Sequence, residues 1–572
     1  MTFGTNSDWI KQRVQEIGSL SWNDLLSLVQ SLEGQAQLGD LQAQKDLDDL
    51  WYWRLATDVE LFAAAYFPHY CQYTFNDFHS DLFATMGFME RAVRRARAAP
   101  RGYAKSTITA LIKPIHDVCY GLEKYIVIVS NTQDQANQKL RDIRAEVLTN
   151  SELASDYNLH FKTRKPGETQ YVLFAGDFAC MFTCYGAGVE IRGIRFGAYR
   201  PTKIILDDSE NSEEVHNEAL RKKAEDWFFQ VISQIGTKDT NLDFIGTILH
   251  REGLLNKLLK NPAYDGRLYK AIIQWSERRD LWDVWTRIYT DLDNGSRVAE
   301  AEEFYQSNKA ELLRGVRVLW GVKESYLDLM KELVEKGKRA FMKEKQNEPI
   351  GGDEALFENF HYYRETKDGI LIERTNTLIP WKELKGTDGQ WLDMYGALDP
   401  ATGQTKTKPG KLGDFACVLS GFKDRKGRLF VHHDWTKRAA PTKQIGRIFD
   451  GYNEFNYQKF GVETNLYRNL LLPNIITERT RREKELGKSL QIPFYDIEAI
   501  DKKEKRIYTL EPKVEHGWIL FNRALSQEFM GQHEAYPHVD HDDGPDTLEM
   551  LWGMVNNRYR AASVSANAQA DR

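Results

Sequence analysis

The sequence predicts an α/β protein built from two large domains. Three observations carry that expectation. At 572 residues the chain is longer than one hydrophobic core organises. Between about residue 95 and 250, short continuous apolar runs alternate with helical patterns, as in a parallel sheet covered on both faces. From Met394 onward the pattern changes to strand, turn and strand.

Composition narrows the class. Hydrophobic residues make up 42 % of the chain, enough for packed domains. No apolar run approaches the ~20 residues of a membrane span, and Met1 to Asn6 lacks the basic-then-apolar pattern of a signal peptide. A protein of the cytoplasm with no membrane partner is expected. The five cysteines include no CxxC, which fits reduced thiols. Cys180 and Cys184 lack further ligands nearby and read as core residues. A net charge of −6 excludes a wholly basic DNA binder but leaves room for local basic surfaces. Two stretches qualify: Arg91, Arg94, Arg95, Arg97 and Arg101, and Arg479, Arg481, Arg482, Lys484 and Lys488. Each reads equally as a solvated helix face.

In chain order, Trp9, Val14, Ile17, Leu25, Leu26, Val29 and Leu32 have helical spacing, so residues 1–58 are expected as a helical extension. A helix begins near Phe78. Residues 125–129 form a buried-type strand, followed by Ser130 to Asp134 as caps for a helix through Leu148. Residues 171–174, 181–184, 203–206 and 244–247 are further strands. Residues 59–350 make the first domain, with a charged helical lid or linker at about 300–350. Asn347 to Asp353 is the punctuation before a second domain at 351–558. There, residues 415–422 and 428–435 flank the turn Asp424-Arg425-Lys426-Gly427. A helix over 441–455 leads to a strand at 460–463. The tail at 559–572 is small and polar, and is expected to be disordered.

The chemistry lies at the ends of these strands. Arg101-Gly102-Tyr103-Ala104-Lys105-Ser106-Thr107 resembles a phosphate loop, which wraps backbone N–H groups around phosphate at a helix start. Lys105 would reach the phosphates, and Ser106 would bear on magnesium. Asp207 ends an apolar strand where Mg2+ is held. Asp208 stands where a carboxylate polarises water, and Glu210 is a second candidate for that base. Gly246-Thr247 ends a further strand, suited to sense the γ-phosphate. Arg192, Arg195 and Arg200 are candidates for the arginine that stabilises phosphoryl charge. A second acid set is Asp399, Glu463 and Asp543, with Asp542 and Asp546 beside it. Each acid of that set ends a strand or begins a helix, as two-metal nuclease chemistry needs, and hard oxygen ligands suit Mg2+ or Mn2+. His533, His538 and His541 lack the spacing of a zinc site.

Residues 100–107, the stretch from Arg192-Gly193 through Arg200-Pro201 to Asp207-Asp208-Ser209-Glu210-Asn211, Phe244-Ile245-Gly246-Thr247 and residues 341–349 together resemble the large terminase subunit of tailed bacteriophages. The resemblance runs from about residue 60 to 558 and departs at Ala104, where a glycine is usual. It implies an N-terminal P-loop ATPase domain and a C-terminal RNase H-like nuclease domain. It also implies ATP with Mg2+, Mn2+ substituting in the nuclease, and His79 as the adenine-reading position. The implied partners are double-stranded DNA, a portal protein and a small terminase subunit. The setting would be a homo-oligomeric ring on the procapsid in the host cytoplasm, not retained in the mature virion. A helicase-like translocase and a transposase or integrase nuclease are the alternatives. The first would need a second nucleotide-binding half in place of the acid triad, and the second leaves Lys105, Asp207 and Gly246 without a role.

Overall fold

The computed structural model describes residues 22–557, apart from 88, 164–165, 212–214, 216, 351–354, 402–405, 409–410, 413–414, 464–471, 488, 498–500 and 540. The expected tail, the first part of the helical extension and Lys488 therefore lie outside the described residues. The chain is α/β with mixed sheets and forms two compact units. The first contains the described residues of Met1–Glu277, Leu313–Glu332 and Arg339–Ile350, and the second those of Arg278–Leu312, Leu333–Lys338 and Gly351–Arg572.

In the first unit, strands β1 (Arg94–Ala98), β2 (Tyr125–Ser130), β3 (Leu159–His160), β4 (Gln170–Ala175), β5 (Phe178–Gly186), β6 (Lys203–Asp207), β7 (Asn241–Gly246) and β8 (Asp265–Leu268) form one sheet. Their order is β3-β4-β5-β2-β6-β7-β1-β8. From β5 to β8 all pairings are parallel, as expected. Every residue of β2, β6 and β7 is buried, so both faces of the sheet centre are covered. The β3-β4-β5 edge is antiparallel, because the short Gly176-Asp177 turn between β4 and β5 can join only antiparallel strands. Although β1 and β2 are consecutive in sequence, β7 and β6 lie between them. A crevice of this kind, at the carboxyl ends of the strands, is where such sheets bind ligands. Ahead of the sheet, helices Trp22–Gln37 and Leu41–Thr57 pack through Leu25, Val29, Leu50 and Trp53. Gly39 (φ +91°) breaks the helical run there, and Asp40 caps the second helix on Gln42 N and Ala43 N.

One sequence expectation fails in β1. Arg95 and Arg97 are neither a DNA-facing surface nor a solvated helix face. They are buried on a strand, with Arg95 paired to Asp243 (3.0 Å) and Glu90, and Arg97 to Asp265. The acids that bury them come from distant segments, which a local reading does not see. The second basic stretch is an ordinary helix face: Arg481 pairs with Glu478 and Glu485, and Arg482 with Asp450. Cys180 and Cys184 are buried free thiols of β5.

Strands β9 (Ile272–Gln274) and β10 (Arg317–Val318) form a small ribbon. The second unit holds β11 (His361–Glu365), β12 (Gly369–Ile372), β13 (Thr377–Pro380), β14 (Met394–Asp399), the pair β15 (Lys406–Lys408) and β16 (Lys411–Leu412), β17 (Ala416–Lys423), β18 (Leu429–Lys437), β19 (Lys459–Glu463), β20 (Phe494–Ile497) and β21 (Ile519–Asn522). Its main sheet runs β13-β12-β11-β21-β18-β17-β14-β19-β20. The hairpin at Asp424 to Gly427 and the helix Pro441–Phe455 form where the sequence places them. Helices Arg279–Thr290 and Arg297–Leu312 belong to this unit. They are tied to it by Trp518 Nε1 donating to Thr290 O (3.1 Å) and by Arg428 against Asp293 (2.9 Å). The helix Asp543–Val555 lies across β14 and β17. Gly421 and Gly461 permit that approach, since a Cβ at either would stand 3.1 Å from Leu551 or Met554 respectively.

Candidate functional sites

In the first unit, β1 ends at Ala98 and residues 99–104 turn into a helix that begins at Lys105. Gly102 (φ +83°) and Ala104 (φ +55°) both take left-handed backbone. Alanine thus adopts the conformation usually left to glycine, at a cost of about 1–2 kcal/mol. Tyr103 is fully buried and anchors the loop, while Lys323 donates to the Gly102 carbonyl. Arg101 stays exposed, 3.4 Å from Glu344.

The parallel register brings the chemistry together. Ala98 pairs with Gly246, and Ile245 with Asp207, so the ends of β1, β7 and β6 line up. Ser106 Oγ donates to Asp207 Oδ1 at 2.6 Å. Lys105 Nζ lies 3.3 Å from Thr247 Oγ1 and 3.6 Å from Asp208 Oδ2. Asp208 turns out of the strand with φ +46°, its side chain 52 % exposed at the rim of the crevice. Desolvation among close-packed neighbours pushes its pKa up, and the Lys105 ammonium opposes this. Gly246 leaves room for this carboxylate, since a Cβ there would stand 3.2 Å from Asp208 Oδ1. Thr107 follows Ser106 in the first turn of the helix.

Other predicted residues have different surroundings. Both Glu210 oxygens accept backbone N–H groups, from Leu254 (2.7 Å) and Leu255 (3.0 Å), so this carboxylate caps the helix Leu254–Leu259. His79 is buried and forms a capping box with Asn76 at the helix Asp77–Ala84. Burial pushes its pKa down to about 4, so the ring is neutral. Arg192, Arg195 and Arg200 are exposed on residues 187–202, and Arg192 pairs with Glu190 at 3.1 Å. Among the described residues, no hydrogen bond or ion pair ties these arginines to Lys105 or Asp207. Lys139, from the helix Gln133–Thr149, was not foreseen. Its ammonium lies 2.6 Å from Asp207 Oδ2.

In the second unit β14 and β19 run parallel with Leu398 opposite Val462, so Asp399 and Glu463 end neighbouring strands side by side. Asp543 and Asp546 begin the helix laid over β14 and β17. Burial, then the charges of Asp546, Asp543 and Glu463, push the Asp399 pKa up to about 8 against the pull of Lys503. Asp399 and Glu463 at adjacent strand ends, with Asp543 and Asp546 at the helix start, thus form one acid pocket whose members feel one another's charge. Lys503, in the helix Lys503–Tyr508, lies 2.9 Å from Asp542, 3.3 Å from Asp546 and 3.5 Å from Asp399. Its own pKa is raised by these anions, which overcome its burial. Arg506 binds Asp546 at 2.9 Å and Glu549 at 2.7 Å. Neither cation stands out in the charge run Asp501 to Arg506, which reads as a solvated face.

The carboxylate donors suit a hard divalent cation. As the side chains stand, no group of three or more His, Cys, Asp or Glu among the described residues is spaced to hold a metal. His533 is buried and bonds Phe529 O, and Asp434 accepts from Ser526. No helix among the described residues is long and apolar enough to cross a membrane.

No family model and no curated protein matches this chain. Its structural neighbours are large terminases of several phages. A large terminase from a thermophilic bacteriophage is 9 % identical, with TM-score 0.37, covering 82 % of this chain and 94 % of that one. For the HK97 bacteriophage large terminase the values are 12 %, 0.28, 84 % and 95 %. The large terminase nuclease from thermophilic phage G20c is 8 % identical, with TM-score 0.21, over 36 % of this chain and 95 % of that one. At such identities and scores the likeness fixes no residue's role.

Proposed function

We propose that this chain is the large subunit of a viral DNA-packaging terminase, an ATPase that translocates double-stranded DNA and a metal-dependent endonuclease that cuts it. The observation that carries this reading is the pairing of two acid sites in one chain. One unit sets Lys105 and Ser106 against Asp207 and Asp208, and the other sets Asp399 beside Glu463 and the helix-borne Asp543 and Asp546. A helicase-like translocase has no use for the second set, and a transposase or integrase none for the first.

In the motor, Lys105 and the N–H groups opening its helix bind the β- and γ-phosphates. Asp208, open to the crevice and poised upward in pKa, aligns the attacking water and takes its proton. Thr247, touching Lys105, reports the phosphate state to β7. Glu210 holds the loop after β6 to the helix Leu254–Leu259. Ser106 and Asp207 would hold the nucleotide's Mg2+, and Asp399, Glu463, Asp543 and Asp546 the nuclease's Mg2+ or Mn2+. Bound there, these ions neutralise phosphate charge in the motor and activate water in the nuclease. One of Arg192, Arg195 and Arg200 acts on a neighbouring subunit's nucleotide in a homo-oligomeric ring. The ring docks on the portal protein of the procapsid in the host cytoplasm, supplied by a small terminase subunit, and leaves before the virion matures.

The test pairs two assays on the full chain, DNA-stimulated ATP hydrolysis and plasmid cleavage in Mn2+. The parent should do both, and Asp399→Ala should lose cleavage while hydrolysing ATP at close to the parental rate. Cleavage by Asp399→Ala at the parental rate refutes the nuclease assignment.

A further inference from the structure

The ammonium of Lys503 bonds three carboxylates of the acid pocket, at 2.9 Å (Asp542), 3.3 Å (Asp546) and 3.5 Å (Asp399). Two of these acids are among those assigned above to metal. Its helix neighbour Arg506 also holds Asp546, yet the two cations differ in kind. The Arg506 side chain is 7 % exposed and forks between Asp546 and the fully buried Glu549, a fixed brace. The Lys503 side chain is 34 % exposed, and its ammonium sits on a flexible stem with solvent to withdraw into. A lysine so placed can exchange with another cation without unmaking the core.

We propose that Lys503 is the resident counter-cation of this pocket and competes with a divalent cation for the oxygens of Asp399 and Asp546. It thereby sets the metal concentration at which the nuclease loads. A cleavage centre carried by a DNA motor would then stay neutralised and unloaded until Lys503 gives way. The inference rests on the reading of these acids as metal ligands.

The experiment is calorimetric titration of Mn2+ into the full chain without nucleotide, with Asp207→Asn in every variant so that the motor site does not report. Lys503→Met removes the charge while keeping the length of the side chain, and circular dichroism checks the fold. Mn2+ affinity should rise at least tenfold in Lys503→Met and stay near the parent's in Lys503→Arg. The melting temperature of Lys503→Met should fall in EDTA and recover in Mn2+ by a larger margin than the parent's. Mn2+ affinity of Lys503→Met equal to or weaker than the parent's overturns the role of Lys503. Asp399→Asn separates the two failures. If it loses Mn2+ while Lys503→Met binds as the parent does, only the competition is wrong. If it binds Mn2+ as the parent does, the pocket is not a metal site and both readings fall.

Discussion

Replacing Lys105 by alanine should remove the main positive charge from the phosphate loop. Its ammonium is almost fully buried and stands 3.6 Å from Asp208 Oδ2, which gives the scale of an ammonium–anion contact at this point. At that distance and an effective dielectric of ~20 the attraction is about 4–5 kcal/mol. Asp208 is half exposed, so water screens part of this, and about 3 kcal/mol is a conservative share. A transferring phosphoryl carries more charge than a carboxylate and enters the same space. A barrier raised by about 3–5 kcal/mol slows turnover roughly a hundred- to several-thousandfold. Lys139 remains on Asp207 in the variant, so the acid pair keeps one counter-charge and the fold should survive. Phosphate release over time is the assay, with circular dichroism to confirm folding. Turnover within threefold of the parent would show that Lys105 is not at the transferring phosphate, and the loop assignment would fail.

Asp208→Asn should retain nucleotide binding, measured with a fluorescent analogue, and lose hydrolysis. Glu210→Gln should instead lower the unfolding free energy by about 0.5–2 kcal/mol, the range of a lost helix cap, with hydrolysis near the parental rate. The reverse pattern would make Glu210 the base. Asp117 accepts from Lys113 and, at 2.7 Å, from Lys203 inside the first unit. Asp117→Ala would take the paired carboxylate from the buried Lys113 ammonium and leave Lys203 only the longer contact to Asp243 (3.7 Å), and should cost about 3–5 kcal/mol by urea unfolding. Burial raises the Asp117 pKa, but the two lysines overcome this and hold it well below the ordinary value. Its contribution is therefore full above the unfolded pKa of about 4 and lost as pH falls through the folded value. A urea midpoint unchanged between pH 6 and pH 2.5 would contradict that. DNA affinity should fall steeply with salt and little with sequence, read by fluorescence anisotropy. A salt-insensitive, sequence-selective affinity would argue against a translocating motor.

What was legible in the sequence is what a few adjacent residues decide. An apolar run ending in Asp207-Asp208, a strand stopped by Pro400 after Asp399, and a Pro-and-acid helix start at Asp543 each announce a backbone element and the acid it carries. The parallel register then does the assembling, since neighbouring parallel strands present their carboxyl ends on one side. Charges whose meaning depends on a distant partner were not legible. Arg95 and Arg97 look like surface until Asp243 and Asp265 are brought beside them by β7 and β8. Lys139 and Lys503 look like solvated helix positions until the fold sets each against an acid of a site. The pattern has a common physical cause. Carboxylates brought together in a buried place are costly to ionise, and burial together with mutual repulsion raises the pKa of Asp399. The protein that brings them together must supply positive charge of its own, from whichever neighbouring helix can reach. Local sequence therefore locates the acids of such a site more readily than the lysines that make their convergence stable.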